Sequence, residues 1–160
     1  MVFNLALQYV QNIQVAEEIT QDVFLKIHNK RSKFNNASTL KTWIYRITIN
    51  TSLDFLKAKQ RSKRVHFFQA KPFEDDHQRT SQFNHPGIQL ESKEALKQIF
   101  NGLNQLAGNQ KTVIILLKID GRSTKEVAAI MELSPKAVES LFQRAKKNLN
   151  LILQQNEGFN

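Results

Sequence analysis

The residues whose types and spacing suggest a chemical role form a polar row within residues 34–64. Its members recur every three or four positions and are Arg46, Asn50, Asp54, Lys57, Arg61 and Arg64. That spacing places them on one face of a helix, and the face becomes basic toward its C-terminal end. Lysine and arginine beside phosphates release condensed counterions, so such a row favours a polymer of phosphates. The pattern therefore predicts binding rather than catalysis.

The rest of the chain gives little support for catalysis. His28, His66, His77 and His85 share no ligand spacing, and the acidic run 74–76 has no partner set near it. The chain has no cysteine, which excludes disulfides, thiolate catalysis and cysteine zinc sites. It also lacks a glycine-rich phosphate loop. We therefore expect no enzyme activity, no catalytic residue, no metal and no cofactor.

The positive charge is concentrated in one segment. The formal net charge is +9, and residues 22–64 hold eleven Lys or Arg against two acids. The remainder of the chain is balanced, with twelve of each sign. A concentrated excess indicates an anionic partner, with nucleic acid favoured over a merely solvated surface.

Helical periodicity places this segment in a first domain, residues 1–64. Residues 1–12 and 14–29 each show one apolar face, and Phe24 is expected beside the inner face of the second helix. Ser38 is the expected N-cap of the central helix. The inner face of that helix is then formed by Trp43, Ile44, Ile47, Thr51 and Phe55. The outward side chains of the second helix are predicted to be Glu17, Glu18, Gln21, Asp22 and Lys26. Its carboxylates suit either the helix dipole or docking of another protein.

The pattern then changes twice along the chain. Residues 65–89 show no period and contain Pro72 and Pro86, so we expect a flexible linker. Helical patterns resume in a second domain, residues 90–155, followed by a tail at 156–160. The fold class predicted is all-α, with two small helical domains. No apolar run is long enough to span a membrane and no secretory signal is visible, so we expect no membrane insertion.

The second domain contains a helix-turn-helix pattern. Residues 123–126 have the form of a capping box, and Ser134-Pro135 has the form of a second helix start. Leu133 is the expected apolar plug of the turn, and Glu132 stands where such turns often have glycine. The outer face of the last helix consists of Lys136, Ser140, Gln143 and Lys147, flanked by Glu139 and Arg144. Such a helix fits the major groove of DNA, although many helical hairpins bury a similar pattern.

Trp43 lies at the border between the apolar face and the polar row. It is either a core residue or a platform for an unpaired base. Asn35, Asn36 and Ser38 precede it and could bond to the edge of a flipped base, or serve only as turn and cap residues.

Three segments in order resemble the extracytoplasmic-function (ECF) sigma factors of the sigma-70 family. Residues 16–24, AEEITQDVF, resemble the core-binding helix of region two. Residues 34–64, with KTWIYRI at their centre, resemble the segment that reads and melts the minus-ten element. Residues 103–149 resemble region four, which binds the minus-thirty-five element. Together these segments cover most of the chain outside the predicted linker.

The resemblance implies a role for each set of residues. Core polymerase would be bound through its beta-prime clamp helices by Glu17, Glu18, Gln21, Asp22 and Lys26, with the beta flap as a further contact. The minus-ten element would be bound by Asn35, Asn36, Ser38, Thr39, Lys41, Trp43, Arg46, Asn50, Lys57, Arg61 and Arg64. The minus-thirty-five element would be bound by Ser134, Lys136, Ala137, Glu139, Ser140, Gln143, Arg144 and Lys147. The free protein would be a monomer in the bacterial cytoplasm and a possible target of an anti-sigma factor.

The chain departs from the family pattern at several positions. Ala107 replaces a usual proline, Lys111 a usual arginine, and Leu141 a usual arginine of the recognition helix. Family members usually carry more helix before the position of Met1, so the resemblance implies either a truncated N-terminus or a short region two.

Two other classes of function explain part of the pattern. A conventional helix-turn-helix regulator would bind duplex DNA as a dimer without polymerase. A nonspecific RNA-binding or membrane-surface protein would explain the charge of residues 22–64 but not the ordered second domain.

Overall fold

A computed structural model of the chain describes residues 1–34, 36–68 and 90–157, and within these ranges the regular structure is helical. The chain divides into two compact units, residues 1–83 and 84–160, each with its own helices. The prediction of an all-α fold with two helical domains is confirmed.

Three α-helices form the described part of the first unit. Helix α1 spans Val2–Val10, α2 spans Ile13–Lys30, and α3 spans Leu40–Phe68, with a short 3-10 turn at Arg31–Lys33. Each of the three packs against the other two. Gln11 ends α1 in the left-handed region at φ 54°, and the Asn12 side chain caps α2 by accepting from the Val15 N–H at 2.9 Å. These two residues reverse the chain between α1 and α2.

The core of the first unit forms where the three helices meet. Its buried residues are Val2, Ala6, Ala16, Ile19, Val23 and Ile47, and Trp43, Ile44 and Phe55 pack against them while partly exposed. The apolar face predicted for α3 is therefore present, but α3 also buries Tyr45, Thr48, Ile49 and Ser52.

Two of the buried hydroxyls of α3, those of Thr48 and Ser52, are satisfied within their own helix. Thr48 Oγ1 donates to the Ile44 carbonyl and Ser52 Oγ donates to the Thr48 carbonyl, each at 2.9 Å. Because small hydroxyls can bond back to the preceding turn, they can be buried without a tertiary partner. A hydrophobic pattern misses such residues, so the buried surface of α3 is wider than the sequence predicts.

In the second unit, residues 90–157 are described and form four α-helices. Helix α4 spans Leu90–Gln105, α5 spans Gly108–Ile114 and continues as a π-helical segment at Ile115–Ile119, α6 spans Thr124–Met131, and α7 spans Pro135–Glu157. Helix α7 packs against α4, α5 and α6. The fully buried side chains include Leu103, Val113, Ile115, Leu116, Val127 and Val138. Gly102 allows α4 to approach α7, since a Cβ there would lie 2.9 Å from Leu149 Cδ1.

Several expectations about exposure are wrong. Phe24, placed beside the inner face of α2, is 58% exposed because it lies one position beyond the buried Val23. Leu96 and Ile99 have helical spacing to the buried Leu103 on α4, yet they are 36% and 41% exposed.

The predicted linker and the predicted tail both begin with residues that are helical in the structure. Helix α3 continues through Phe68, so the first four residues of the predicted linker are helical, and residues 69–89 lie outside the described residues. Helix α7 likewise continues into the predicted tail, of which 158–160 lie outside. Among the described helices, none has the length and apolar character needed to cross a bilayer.

Candidate nucleic-acid interface

The start of α3 carries an aromatic pair. The ring centroids of Phe34 and Trp43 lie 5.2 Å apart, with their planes tilted by 44°. Trp43 is half-buried and also packs against the core of the first unit. Of the two interpretations left open by the sequence, the structure therefore shows packing on the core, and it leaves part of the Trp43 ring exposed beside Phe34.

The loop before α3 differs from the sequence expectation at its cap. Ser38 is not the N-cap, because α3 begins at Leu40 and Thr39 occupies the cap position. Thr39 Oγ1 accepts from the Thr42 N–H at 3.1 Å, and its carbonyl accepts from the Trp43 N–H at 3.0 Å. Ser38 Oγ instead donates to the Thr39 carbonyl at 3.5 Å.

The remaining loop residues lie before that cap. Asn36 is exposed and adopts a left-handed conformation at φ 57°, which asparagine tolerates well. Asn35 lies outside the described residues.

The polar row continues along α3 as predicted. Its exposed members are Asn50, Asp54, Lys57 and Arg61, and Lys41 is exposed at the start of the helix. Arg46 is half-buried, and the side chain of Arg64 lies outside the described part of the chain. Lys57 Nζ lies 3.8 Å from Asp54 Oδ1 with both side chains largely exposed, a geometry that contributes little to stability.

The outer surface of α2 combines carboxylates with large apolar side chains. Glu17, Glu18, Gln21 and Asp22 are exposed as predicted. Phe24 and Leu25 share this surface and are 58% and 62% exposed. The sequence analysis missed them as functional candidates. The sequence does contain a signal for them. Val23 and Ile27 already form the inner face of α2, and because neighbouring helix positions point 100° apart, two further consecutive apolar residues cannot both lie on that face.

Lys26 was predicted to lie outward on α2, but it does not. It is half-buried, and its Nζ donates to Thr51 Oγ1 of α3 at 3.0 Å. This contact ties α2 to α3, so Lys26 has a structural role that its charge alone did not reveal.

The capping box predicted at Ser123 is present and starts α6. The Glu126 N–H donates to Ser123 Oγ at 3.3 Å, and Glu126 Oε2 accepts from the Ser123 N–H at 2.9 Å. The bond from the Ser123 backbone N–H is the main reason that the pKa of Glu126 is lowered from its usual value. Arg122 bonds to both Asp120 and Glu126 and extends this network.

The turn between α6 and α7 has a strained backbone and an exposed side chain. Glu132 adopts φ 57°, which explains why glycine is common at such a position. Leu133 is 39% exposed rather than a buried plug, and the turn is closed by its N–H bonding to the Ala128 carbonyl at 3.0 Å. Ser134 Oγ accepts from the Ala137 N–H at 3.2 Å and starts α7 as predicted.

One face of α7 presents polar side chains that have no partner elsewhere in the described structure. We call it the groove face. Its residues are exposed and form no hydrogen bond or ion pair with the described part of the chain: Lys136, Glu139, Ser140, Gln143, Arg144 and Lys147. Ala137 is half-buried beside them. Unengaged donors and acceptors on a helix surface are what direct contact with base edges and phosphates requires.

Two further cations border the groove face. Lys118 Nζ and Lys146 Nζ lie 5.4 and 5.8 Å from the ring centroid of Phe142 on α7. Phe142 is half-buried, while both lysines are exposed. The sequence analysis missed this cluster because Lys118 belongs to the π-helical end of α5, distant from α7 along the chain.

Lys111 lies inside the second unit rather than at this surface. Its side chain is 2% exposed, and its Nζ donates to Asn104 Oδ1 at 2.6 Å. Burial lowers the pKa of Lys111 to about 8.

Comparisons with known proteins match both units in order. The family model for sigma-70 region 2 matches residues 1–62, and that for sigma-70 region 4 matches residues 96–149. The RNA polymerase sigma-H factor of Pseudomonas aeruginosa is 27% identical over 156 residues, covering 96% of this chain and 80% of that protein. The ECF RNA polymerase sigma-E factor of Escherichia coli K12 is 29% identical over 152 residues, covering 93% and 78%.

Two solved structures are similar over most of the chain. The sigma factor RpoE from Bartonella quintana, crystallised with the anti-sigma factor NepR, has a TM-score of 0.63 and 25% identity, covering 96% of this chain and 89% of that one. CnrH, in complex with the cytosolic domain of CnrY, has a TM-score of 0.61 and 21% identity, covering 96% and 80%. The latter likeness concerns the fold.

Proposed function

Because the chain belongs to the sigma-70 family and is an ECF RNA polymerase sigma factor, we propose that its two units divide promoter recognition between them. Within the first unit, residues 1–64, which include the polar row of α3, bind core polymerase and the minus-ten element. Within the second unit, residues 90–155 bind the minus-thirty-five element through α7. The chain itself carries out no chemistry, and strand opening is driven by binding energy.

The observation that carries this proposal is the position of Trp43. Its ring is held by Phe34 and the core, yet it borders both the loop 34–39 and the basic row of α3. A rigidly supported aromatic side chain beside cations is suited to stack on an unpaired base, while the phosphates of the same DNA strand contact the basic side chains of α3. A conventional regulator of duplex DNA has no need of such a platform, so the placement favours a DNA-opening factor.

The loop and the polar row act in sequence along the DNA. Asn35, Asn36, Ser38 and Thr39 take up a flipped base of the minus-ten element, with Lys41 holding the strand beside them. Trp43, Arg46 and Asn50 line the non-template strand where pairing is lost. Lys57, Arg61 and Arg64 hold the duplex upstream. A captured base and a stacked ring offset the lost base pairing.

The outer surface of α2 docks core polymerase. Glu17, Glu18, Gln21 and Asp22 supply carboxylates for a basic partner surface on the beta-prime clamp helices. Phe24 and Leu25 supply apolar area that becomes buried at the centre of the interface on docking, while the carboxylates lie at its polar rim. Lys26 supports this surface from behind through Thr51.

The groove face of α7 anchors the complex at the minus-thirty-five element. Lys136, Glu139, Ser140 and Gln143 reach base edges in the major groove, while Arg144 and Lys147 reach phosphates. Ser134 and Ala137 allow the helix N-terminus to approach the DNA. The beta flap of core polymerase contacts this unit from another side.

The setting follows from the same family membership. RpoE from Bartonella quintana was crystallised with the anti-sigma factor NepR, and we infer that this chain is likewise regulated by an anti-sigma factor in the bacterial cytoplasm, where it is a monomer when free. No metal or cofactor takes part.

The test is promoter-directed transcription with the purified full chain added to bacterial core polymerase on a pool of genomic fragments. We expect start sites that share two spaced upstream elements. Tight, sequence-specific binding by the protein alone, without stimulation of polymerase, would contradict the proposal and favour a conventional regulator. A matched variant, Arg144→Ala, should weaken use of the upstream element while leaving minus-ten selection intact.

A further inference from the structure

We propose that Glu139 selects a cytosine in the upstream promoter element, so that one acidic side chain on a basic helix sets a base preference. This inference rests on the proposed function, in which the groove face of α7 lies in the major groove. It goes further by assigning one residue to one class of base.

Glu139 is available for such a contact. It is the fifth residue of α7, within the N-terminal part of a recognition helix that reaches base edges. Its side chain is exposed, and it makes no hydrogen bond or ion pair with any described residue. Lys136 and Gln143 are its neighbours on the same face at three and four positions along the helix, and neither engages it. The carboxylate is therefore not neutralised within the described structure.

A free carboxylate in the major groove must find a hydrogen-bond donor. It loses water and lies among phosphates of like charge, so leaving it unpaired is costly. Only two base groups in the major groove donate hydrogen bonds, the N4 amino group of cytosine and the N6 amino group of adenine. Guanine presents O6 and N7, and thymine presents O4 and a methyl group, so both repel a carboxylate or leave it unsatisfied.

Cytosine is favoured over adenine by its surroundings. The adenine amino group stands between its own N7 and the O4 of the paired thymine, and both are acceptors that repel the carboxylate. The cytosine amino group has such an acceptor, guanine O6, on one side only. Glu139 therefore fits a cytosine on one strand.

The other charged residues of the groove face differ from Glu139 in what they contribute. A lysine or arginine on a phosphate strengthens binding to every sequence. A carboxylate weakens binding to most sequences and spares the few that offer a donor. Its signature is thus discrimination rather than affinity.

The experiment uses core polymerase with the full chain on a promoter library randomised across the minus-thirty-five element, with transcripts sequenced. Wild type should select cytosine at one position on one strand. Glu139→Gln should reduce that selection on the order of tenfold and shift it toward adenine. Glu139→Arg should shift it toward guanine at the same position, since arginine pairs with O6 and N7.

Lys147→Gln is the matched control on the same face and should lower transcript yield without changing base preference at that position. If both Glu139 substitutions leave the base selection unchanged, the inference about Glu139 is wrong, while the proposed role of α7 still stands. A wild-type library with no upstream selection at all would overturn the proposed role of α7 and the inference with it. Thermal melting of each variant checks that the fold is retained.

Discussion

Lys111 Nζ lies 2.6 Å from Asn104 Oδ1 inside the second unit, in a site that leaves the lysine side chain 2% exposed. An ammonium group that has lost its water favours the neutral form, which is why burial lowers the pKa of Lys111 to about 8. An arginine, the residue expected here from the resemblance to ECF sigma factors, could not lose its charge in a protein. Lysine at this position therefore makes the stability of this unit sensitive to pH.

The first prediction concerns that sensitivity. The pKa of Lys111 is lower in the folded than in the unfolded chain, so between pH 8 and about 10.4 the unfolded chain binds more protons. The free energy of unfolding should rise with pH across this window, by up to about 3 kcal/mol. Urea denaturation at a series of pH values measures it. Lys111→Met should remove the rise and Lys118→Met, an exposed control, should keep it; equal slopes in all three proteins would contradict the prediction.

A second prediction concerns strand opening. Trp43→Ala should reduce open-complex formation more than closed-complex binding. In the proposed function the Trp43 ring contacts the DNA where base pairing is lost, while the contacts to the duplex lie further along α3. Permanganate reactivity of unpaired thymines reports opening, and a filter-binding assay at low temperature reports closed complexes. A promoter with a pre-melted minus-ten mismatch bubble should restore transcription if the loss lies in opening. No rescue by the bubble would indicate that the variant fails through loss of core packing.

A third prediction concerns the exposed apolar residues of α2. Leu25→Ala should weaken binding to core polymerase on the order of tenfold, since a large side chain at the centre of an interface contributes disproportionately. Because Leu25 is 62% exposed in the free chain, the melting temperature should change little. Competition against a labelled sigma factor for core polymerase measures the affinity. The control is Leu151→Ala, because Leu151 is also an exposed leucine but lies on α7. This variant should bind core polymerase as wild type does.

A fourth prediction compares two residues whose backbone lies in the left-handed region, Gly121 before α6 and Glu132 after it. Gly121 has φ +66° and no atom within 4 Å of the position of a Cβ, so Gly121→Ala tests backbone strain without a clash. It should lower the free energy of unfolding by about 1 kcal/mol. Glu132→Gly relieves the same kind of strain at φ 57° and should act in the opposite direction. Chemical denaturation of the two variants checks both signs, and a stabilising Gly121→Ala would refute the account.

Much of this organisation could be predicted from local patterns. The capping box at Ser123 and the cap at Ser134 depend on residues three positions apart, so the sequence contains both partners. The helical periods of residues 1–12 and 14–29 likewise predicted the apolar faces that meet in the core around Ile19. The groove face of α7 followed from spacing alone.

The rest depends on contacts between distant residues. Lys26 looks like a surface charge until Thr51, 25 residues later, supplies its acceptor. Thr48 and Ser52 look polar until their hydroxyls bond within the helix. The pairing of Lys118 with Phe142 depends on how α5 meets α7, which no local pattern contains.

Helix α3 runs without interruption for 29 residues, from beside the aromatic pair to the end of the basic row. At 1.5 Å per residue that is a rod of about 43 Å. If the proposed function holds, the number of residues between Trp43 and the later cations of α3 sets the distance between strand opening and the upstream duplex contacts. Inserting one alanine after Asp54 would rotate every later cation by about 100° relative to Trp43, so the two groups could no longer bind the same DNA together.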